Sequence, residues 1–139
     1  RKLNMALFIW KDEYSVRISS IDEEHKKLVS LLNELHSSML SARANSILEK
    51  LLTELSEYTV YHFKNEENLM IDHKYPKYGE HKNNHKNFTD KVNSYLEDFK
   101  NGKKLLTVDL LFFLKNWLIN HINGEDKQYS AFFIERGVK

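Results

Sequence analysis

Seven histidines and no cysteine in 139 residues make imidazole the group in this chain most able to do chemistry. Without thiols, disulfides, thiolate zinc sites, iron–sulfur clusters and cysteine nucleophiles are all excluded. Carboxylates are the natural companions of the histidines, and two spacings pair ligand types directly. His62-x-x-x-Glu66 and His81-x-x-x-His85 each set two side chains four residues apart, which is one face of a helix. His121 has two acidic residues downstream, Glu125 at four residues and Asp126 at five. Over five residues an ideal helix turns about 140° beyond its starting face. Spacing alone therefore favours Glu125, and Asp126 shares the His121 face only if a π-type turn around Gly124 takes up the extra residue. Imidazole nitrogen and carboxylate oxygen together form a ligand set for Fe, Mn, Zn or Cu.

Pairs of this kind also occur by chance and on solvated helix faces, so register has to carry the argument. His25 lies on a stripe with Ile21, Leu28, Leu32, Leu35 and Met39. His62 and Glu66 continue a second stripe of Leu48, Leu52, Leu55 and Thr59, and His81 and His85 open a third with Phe88, Val92, Tyr95 and Phe99. His121 follows Trp117 by four residues and Leu118 by three. A carboxylate on such a face is costly unless compensated, and no Lys or Arg falls on a neighbouring turn of these stripes. A metal cation would supply the missing charge. Any one of these histidines alone would more often be a hydrogen-bonded core residue than a ligand; five on facing helices reverse that balance. His36 falls beside the first stripe and His73 in the link before Pro76, and both are read as surface or rim residues. Lys74, Lys77, Lys82 and Lys86 are read as a solvated basic rim.

These side chains must be positioned by helices, and the helix starts are visible. Ser20-Ile-Asp-Glu23 and Ser46-Ile-Leu-Glu49 have capping-box form, predicting helices over about 21–40 and 47–71 with a polar joint at 41–45. The only Pro, Pro76, breaks the pattern before a third helix that ends ahead of Asn101-Gly102. Thr107 with Asp109 caps a fourth that runs to about Phe133. Four helices with short links predict an all-α, up-down-up-down antiparallel four-helix bundle. Residues 1–20 form an extended N-terminal arm, with Tyr14, Val16 and Ile18 on one face. The whole of 1–139 is expected to be one domain, with the bundle over 21–133. Twenty-one basic against twenty acidic residues give a net charge of +1, no field for gripping nucleic acid or anionic lipid. No apolar run approaches the roughly 20 residues of a membrane span, and no signal peptide opens the chain, so a cytoplasmic location is expected.

Taken together the motifs resemble the hemerythrin family, in particular its bacterial single-domain form. The likeness runs through Trp10, Tyr14-Ser-Val-Arg-Ile18, Ile21-Asp-Glu-Glu-His25-Lys, His62-Phe-Lys-Asn-Glu66-Glu, Tyr75-Pro76, His81-Lys-Asn-Asn-His85 and Trp117-Leu-Ile-Asn-His121-Ile-Asn-Gly-Glu-Asp126. It covers almost the whole chain. The family pattern places an Asp five residues after the His, so the resemblance selects Asp126 over Glu125. It implies two iron ions bridged by oxo or hydroxo: one held by His81, His85 and His121, the other by His25 and His62, with Glu66 and Asp126 shared. The second iron would keep an open position where dioxygen binds reversibly with transfer of two electrons. Phe63, Trp117, Leu118 and Ile122, beside these ligands, would wall the oxygen pocket with apolar surface. Neither Glu-x-x-His, the motif of carboxylate-rich di-iron oxidases, nor the His-Glu-x-x-His of zinc proteases occurs. The leading expectation is thus an oxygen-binding protein for storage, delivery or sensing. The alternatives are a di-iron redox enzyme that reduces dioxygen, hydrogen peroxide or nitric oxide with a reductase partner, or a sensor module excised from a larger signalling protein.

Overall fold

Each apolar stripe becomes one long helix, because a helix that is apolar on one side must bury that side against another. The computed structural model describes residues 7–41, 44–103 and 107–139. Residues 1–6 of the predicted arm and residues 42–43 of the predicted joint lie outside the described residues. Helix α1 spans Ser19–Leu40, α2 Asn45–Asp72 and α3 Tyr78–Lys100. The fourth rod is composite: α4, Val108–His121, passes through a π turn, Ile122–Asp126, into α5, Lys127–Glu135. Helix α2 packs against both α1 and α3, and α4 returns to α1. The result is an all-α four-helix bundle, with no strand among the described residues.

Two of the three expected caps are not used. Helix α1 begins at Ser19 and α2 at Asn45, each without a side-chain cap, so Ser20 and Ser46 lie inside the first turn. The side chain that matters at the start of α1 is Asp22. Its carboxylate accepts from the Val16 backbone N–H at 2.8 Å and the Ser15 hydroxyl at 2.5 Å, and so ties the arm to the helix. Thr107 does cap α4, accepting from the Leu110 N–H at 3.4 Å.

The arm buries Tyr14, Val16 and Ile18 as expected, but a 3₁₀ turn at Asp12–Tyr14 interrupts its extended course. Polar contacts hold its backbone rather than a strand partner. Asn33 pairs with both the N–H and the carbonyl of Phe8, and Ser130 on α5 donates to the Val16 carbonyl at 2.6 Å.

Apolar burial falls into two clusters. The larger contains Leu28, Leu32, Leu35, Leu52, Phe63, Phe88, Leu111 and Ile122; the smaller contains Val16, Ile18, Ile21, Met70, Tyr75, Tyr129 and Phe133. Along α1 the division falls between Ile21 and Leu28, along α2 between Phe63 and Met70, and along the fourth rod between Ile122 and Tyr129. His25, Glu66 and Asp126 lie in those gaps, so a polar layer separates two apolar ends.

Candidate metal centre

The polar layer consists of His25, His62, Glu66, His81, His85, His121 and Asp126, all at most 2 % exposed. Helix α1 supplies one of them, α2 and α3 two each at four-residue spacing, and α4 with the π turn the last two. Their ligand atoms gather into two groups that share the carboxylates. Glu66, His81, His85, His121 and Asp126 form one group, and His25, His62, Glu66 and Asp126 the other; within each, all ligand atoms lie within 4.8 Å of one another.

The two carboxylates face both groups. Glu66 Oε2 lies 3.4 Å from His25 Nε2 and 3.3 Å from His62 Nε2, while Oε1 lies 3.2 Å from His85 Nε2 and 4.0 Å from His81 Nε2. Asp126 Oδ2 lies 3.1 Å from His25 Nε2, and Oδ1 lies 2.9 Å from His81 Nε2 and 3.2 Å from His121 Nε2. Every imidazole thus points Nε2 inward.

The π turn decides between the two acidic neighbours of His121. It absorbs one residue between His121 and Asp126, which brings Asp126 into the layer at 0 % exposure. Glu125, favoured by helical spacing, instead bonds the outer nitrogen of His121, its Oε1 lying 2.5 Å from Nδ1. Two further carboxylates act in the same way: Glu24 Oε1 is 2.7 Å from His62 Nδ1, and Glu67 Oε2 is 2.9 Å from His85 Nδ1. An ionised carboxylate only accepts, so each of these Nδ1 atoms carries a proton and leaves Nε2 as the nitrogen that can bind a metal or a second proton. Sequence reasoning missed Glu24 and Glu67 in this role. Each directly adjoins a layer residue in sequence but serves a histidine of another helix, a relation visible only once the helices are packed. Glu24 is fixed in turn by Asn65, which donates to it at 2.8 Å.

The arrangement calls for a cation. His85 Nε2 and His121 Nε2 are 2.9 Å apart, a separation that requires a proton or a metal between the two nitrogens. Burial disfavours charge on His121, but Asp126 and Glu125 outweigh it and push its pKa up to about 10. His62 is likewise pushed up to about 10, by Glu66 and Glu24 against burial. Burial favours the neutral acid at Glu66 and Asp126, yet the facing imidazoles hold both below the ordinary carboxylate range. In the metal-free chain protons can therefore supply the positive charge, but they do not satisfy the layer. His25 Nε2, His62 Nε2, Glu66 Oε1, His81 Nε2 and both Asp126 oxygens remain buried without a hydrogen-bond partner. These orphaned atoms face one another, and imidazole with carboxylate is a fitting donor set for first-row divalent metals.

The four residues expected around an oxygen pocket divide. Phe63 stacks on His85, with ring centroids 3.8 Å apart and planes 2° from parallel. Trp117 stacks on His121 at 4.5 Å and on Phe88 at 4.0 Å, placing it on the three-histidine side. Phe63 and Leu118 also line an apolar cavity of about 20 Å³ together with Leu28, Leu32, Leu55, Thr59, Phe88, Val92 and Leu114. Leu28, Thr59, Phe88 and Leu118 lie one turn from His25, His62, His85 and His121, so this cavity lies against the layer as a whole. Ile122 is fully buried in the larger apolar cluster and is not among the cavity-lining residues. His36 and His73 stand apart from the layer, both half-buried; His73 Nδ1 donates to the Leu69 carbonyl at 3.0 Å.

A helical bundle whose interior holds two adjoining histidine and carboxylate groups belongs among proteins built to carry metal between helices. A family model for the hemerythrin HHE cation binding domain matches residues 16–133. The chain is 35 % identical over 126 residues to a bacteriohemerythrin of Stenotrophomonas maltophilia, covering 91 % of this chain and 81 % of that protein. It is 34 % identical over 124 residues to a hemerythrin-like protein of Naegleria gruberi, covering 89 % and 92 %. A solved wild-type hemerythrin structure superposes with a TM-score of 0.86 at 30 % identity, over 91 % of this chain and 97 % of that one. The chain belongs to the hemerythrin family.

Proposed function

We propose that this protein binds dioxygen reversibly at a non-haem di-iron centre, in storage, delivery or sensing. The observation that carries the reading is the inequality of the two groups beside an apolar cavity. Three imidazoles and two shared carboxylates form one group, whereas two imidazoles and the same carboxylates form the other. The three-histidine group would hold its metal with more protein ligands than the two-histidine group, which would leave the metal held there freer to take an added ligand, and the apolar cavity lies beside the layer. When bound, the iron pair supplies the two electrons that dioxygen takes up and returns.

The chain's own residues do the rest. His81, His85 and His121 would hold one iron and His25 and His62 the other, with Glu66 and Asp126 bridging. Glu24, Glu67 and Glu125 hold the Nδ1 protons of His62, His85 and His121 and so fix their tautomers. Leu28, Leu32, Leu55, Val92 and Leu118 keep the side of the layer that faces the cavity apolar, which would exclude water and limit proton delivery there. Only two of the seven layer ligands are anionic, which favours ferrous iron more than a carboxylate-rich set does, and reversibility needs that balance.

The test is anaerobic reconstitution with ferrous iron, a metal count, and visible spectra on admitting air and after flushing with inert gas. Two irons per chain and a charge-transfer band that fades on flushing are expected. Irreversible conversion to an oxidised spectrum would refute reversible binding in favour of a redox enzyme or sensor.

A further inference from the structure

Tyr129 lies three residues beyond Asp126 on α5, fully buried in the smaller apolar cluster. Its phenol donates to Glu66 Oε2 at 2.5 Å. The ring has little freedom, with Phe133 at 4.9 Å, Tyr75 at 6.4 Å and His81 at 5.5 Å between centroids.

That hydrogen bond is unevenly placed. Glu66 Oε2 faces His25 and His62, while Oε1 faces His85 and His81. The other inward carboxylate oxygens, Glu66 Oε1 and both of Asp126, have no hydrogen-bond partner. The one phenolic proton in the layer is thus committed to the carboxylate oxygen on the two-histidine side. A carboxylate oxygen that shares its charge with an O–H donor has less to give a metal.

We propose that Tyr129 is a positioning residue that makes the shared carboxylate asymmetric: it fixes the orientation of Glu66 and weakens Oε2 as a donor to the metal held by His25 and His62, favouring the reduced state there. The inference rests on the di-iron reading of the centre but not on dioxygen binding.

The test compares wild type, Tyr129→Phe and a protein with a ring-difluorinated tyrosine at position 129, a stronger hydrogen-bond donor of nearly the same shape. Each is loaded with iron, counted for metal and titrated anaerobically for its midpoint potential. Tyr129→Phe is expected to keep two irons and to favour the oxidised state about tenfold, which is about 59 mV downward for a one-electron step. The fluorinated protein is expected to shift upward. Opposite signs from the two variants are what a purely structural role would not produce; unchanged potentials, or shifts of the same sign, overturn the proposal. Because the potential is read without dioxygen, the two readings fail separately. A wild-type protein that titrates normally but forms no oxygen adduct would refute oxygen binding, while the role of Tyr129 would still stand or fall on the signs of the two shifts.

Discussion

Stripping metal from the loaded protein should unfold it at a much lower temperature, and the size of the effect can be worked from the layer. Removal leaves His25 Nε2, His62 Nε2, Glu66 Oε1, His81 Nε2 and both Asp126 oxygens buried and without hydrogen bonds. An unsatisfied buried polar atom costs about 1–3 kcal/mol. Protons on His62 and His121 offset part of that, so the low end is appropriate, about 6 kcal/mol for the six atoms. Total stability of a domain is about 5–15 kcal/mol, and for a chain of this length each kcal/mol moves Tm by roughly 3–4 °C. A fall of about 20 °C is expected between the iron-loaded and chelator-treated protein, read by anaerobic scanning calorimetry with metal content assayed on both samples. A fall below about 5 °C with the metal demonstrably gone would refute the reasoning, because it would mean that protons alone satisfy the layer.

Metal affinity should rise with pH. His62 and His121 of the metal-free chain are raised to about 10 from an ordinary 6.5, so the stability these protons give is full below about 6.5 and lost as pH climbs through about 10. Metal must displace them, and the apparent binding constant should gain up to about tenfold per pH unit for each proton released, flattening near pH 10, in a chelator-competition titration. Asp126→Ala should abolish the two-metal stoichiometry, whereas Glu125→Ala should retain it with affinity weakened about 10- to 100-fold, measured by metal analysis and competition. Leu35→Ala, fully buried in the larger cluster, should destabilise by about 2–5 kcal/mol in denaturant melts with the metal count unchanged. Ser130→Ala should release the Val16 carbonyl, raising hydrogen exchange in the arm at a cost of about 1 kcal/mol.

The bundle and its layer were legible because both are written in a single period. Leu28, Leu32 and Leu35 mark a buried face of α1 by spacing, and His25 on the same face is thereby placed inside. The same logic set His62 with Glu66 and His81 with His85. It failed where the period breaks: at Asp126, spacing pointed to Glu125, and only the family resemblance favoured the residue that the π turn carries inward. It also failed where one helix serves another. Glu24 reaching His62, Glu67 reaching His85 and Tyr129 reaching Glu66 depend on how close two rods pack, a quantity no single stripe contains. The starts of α1 and α2 differ from expectation: each helix begins one residue before its Ser, with no side-chain cap. Ser20 and Ser46 have the right chemistry for caps, but at the start of α1 Asp22 secures the arm.

The π turn also bears on how this chain can change in length. An ordinary helix has no tolerance for a single inserted or deleted residue, since either rotates everything downstream by about 100°. Between His121 and Asp126 the turn already stores one residue beyond the helical four. Deleting Gly124 would leave Asp126 four residues after His121, in plain α-helical phase, with Tyr129 and Phe133 still facing inward behind it. The stretch over 122–125 is therefore a place where a related gene could lose a codon and keep its inward-facing residues. An alignment that scored such a gap as damage would misjudge it.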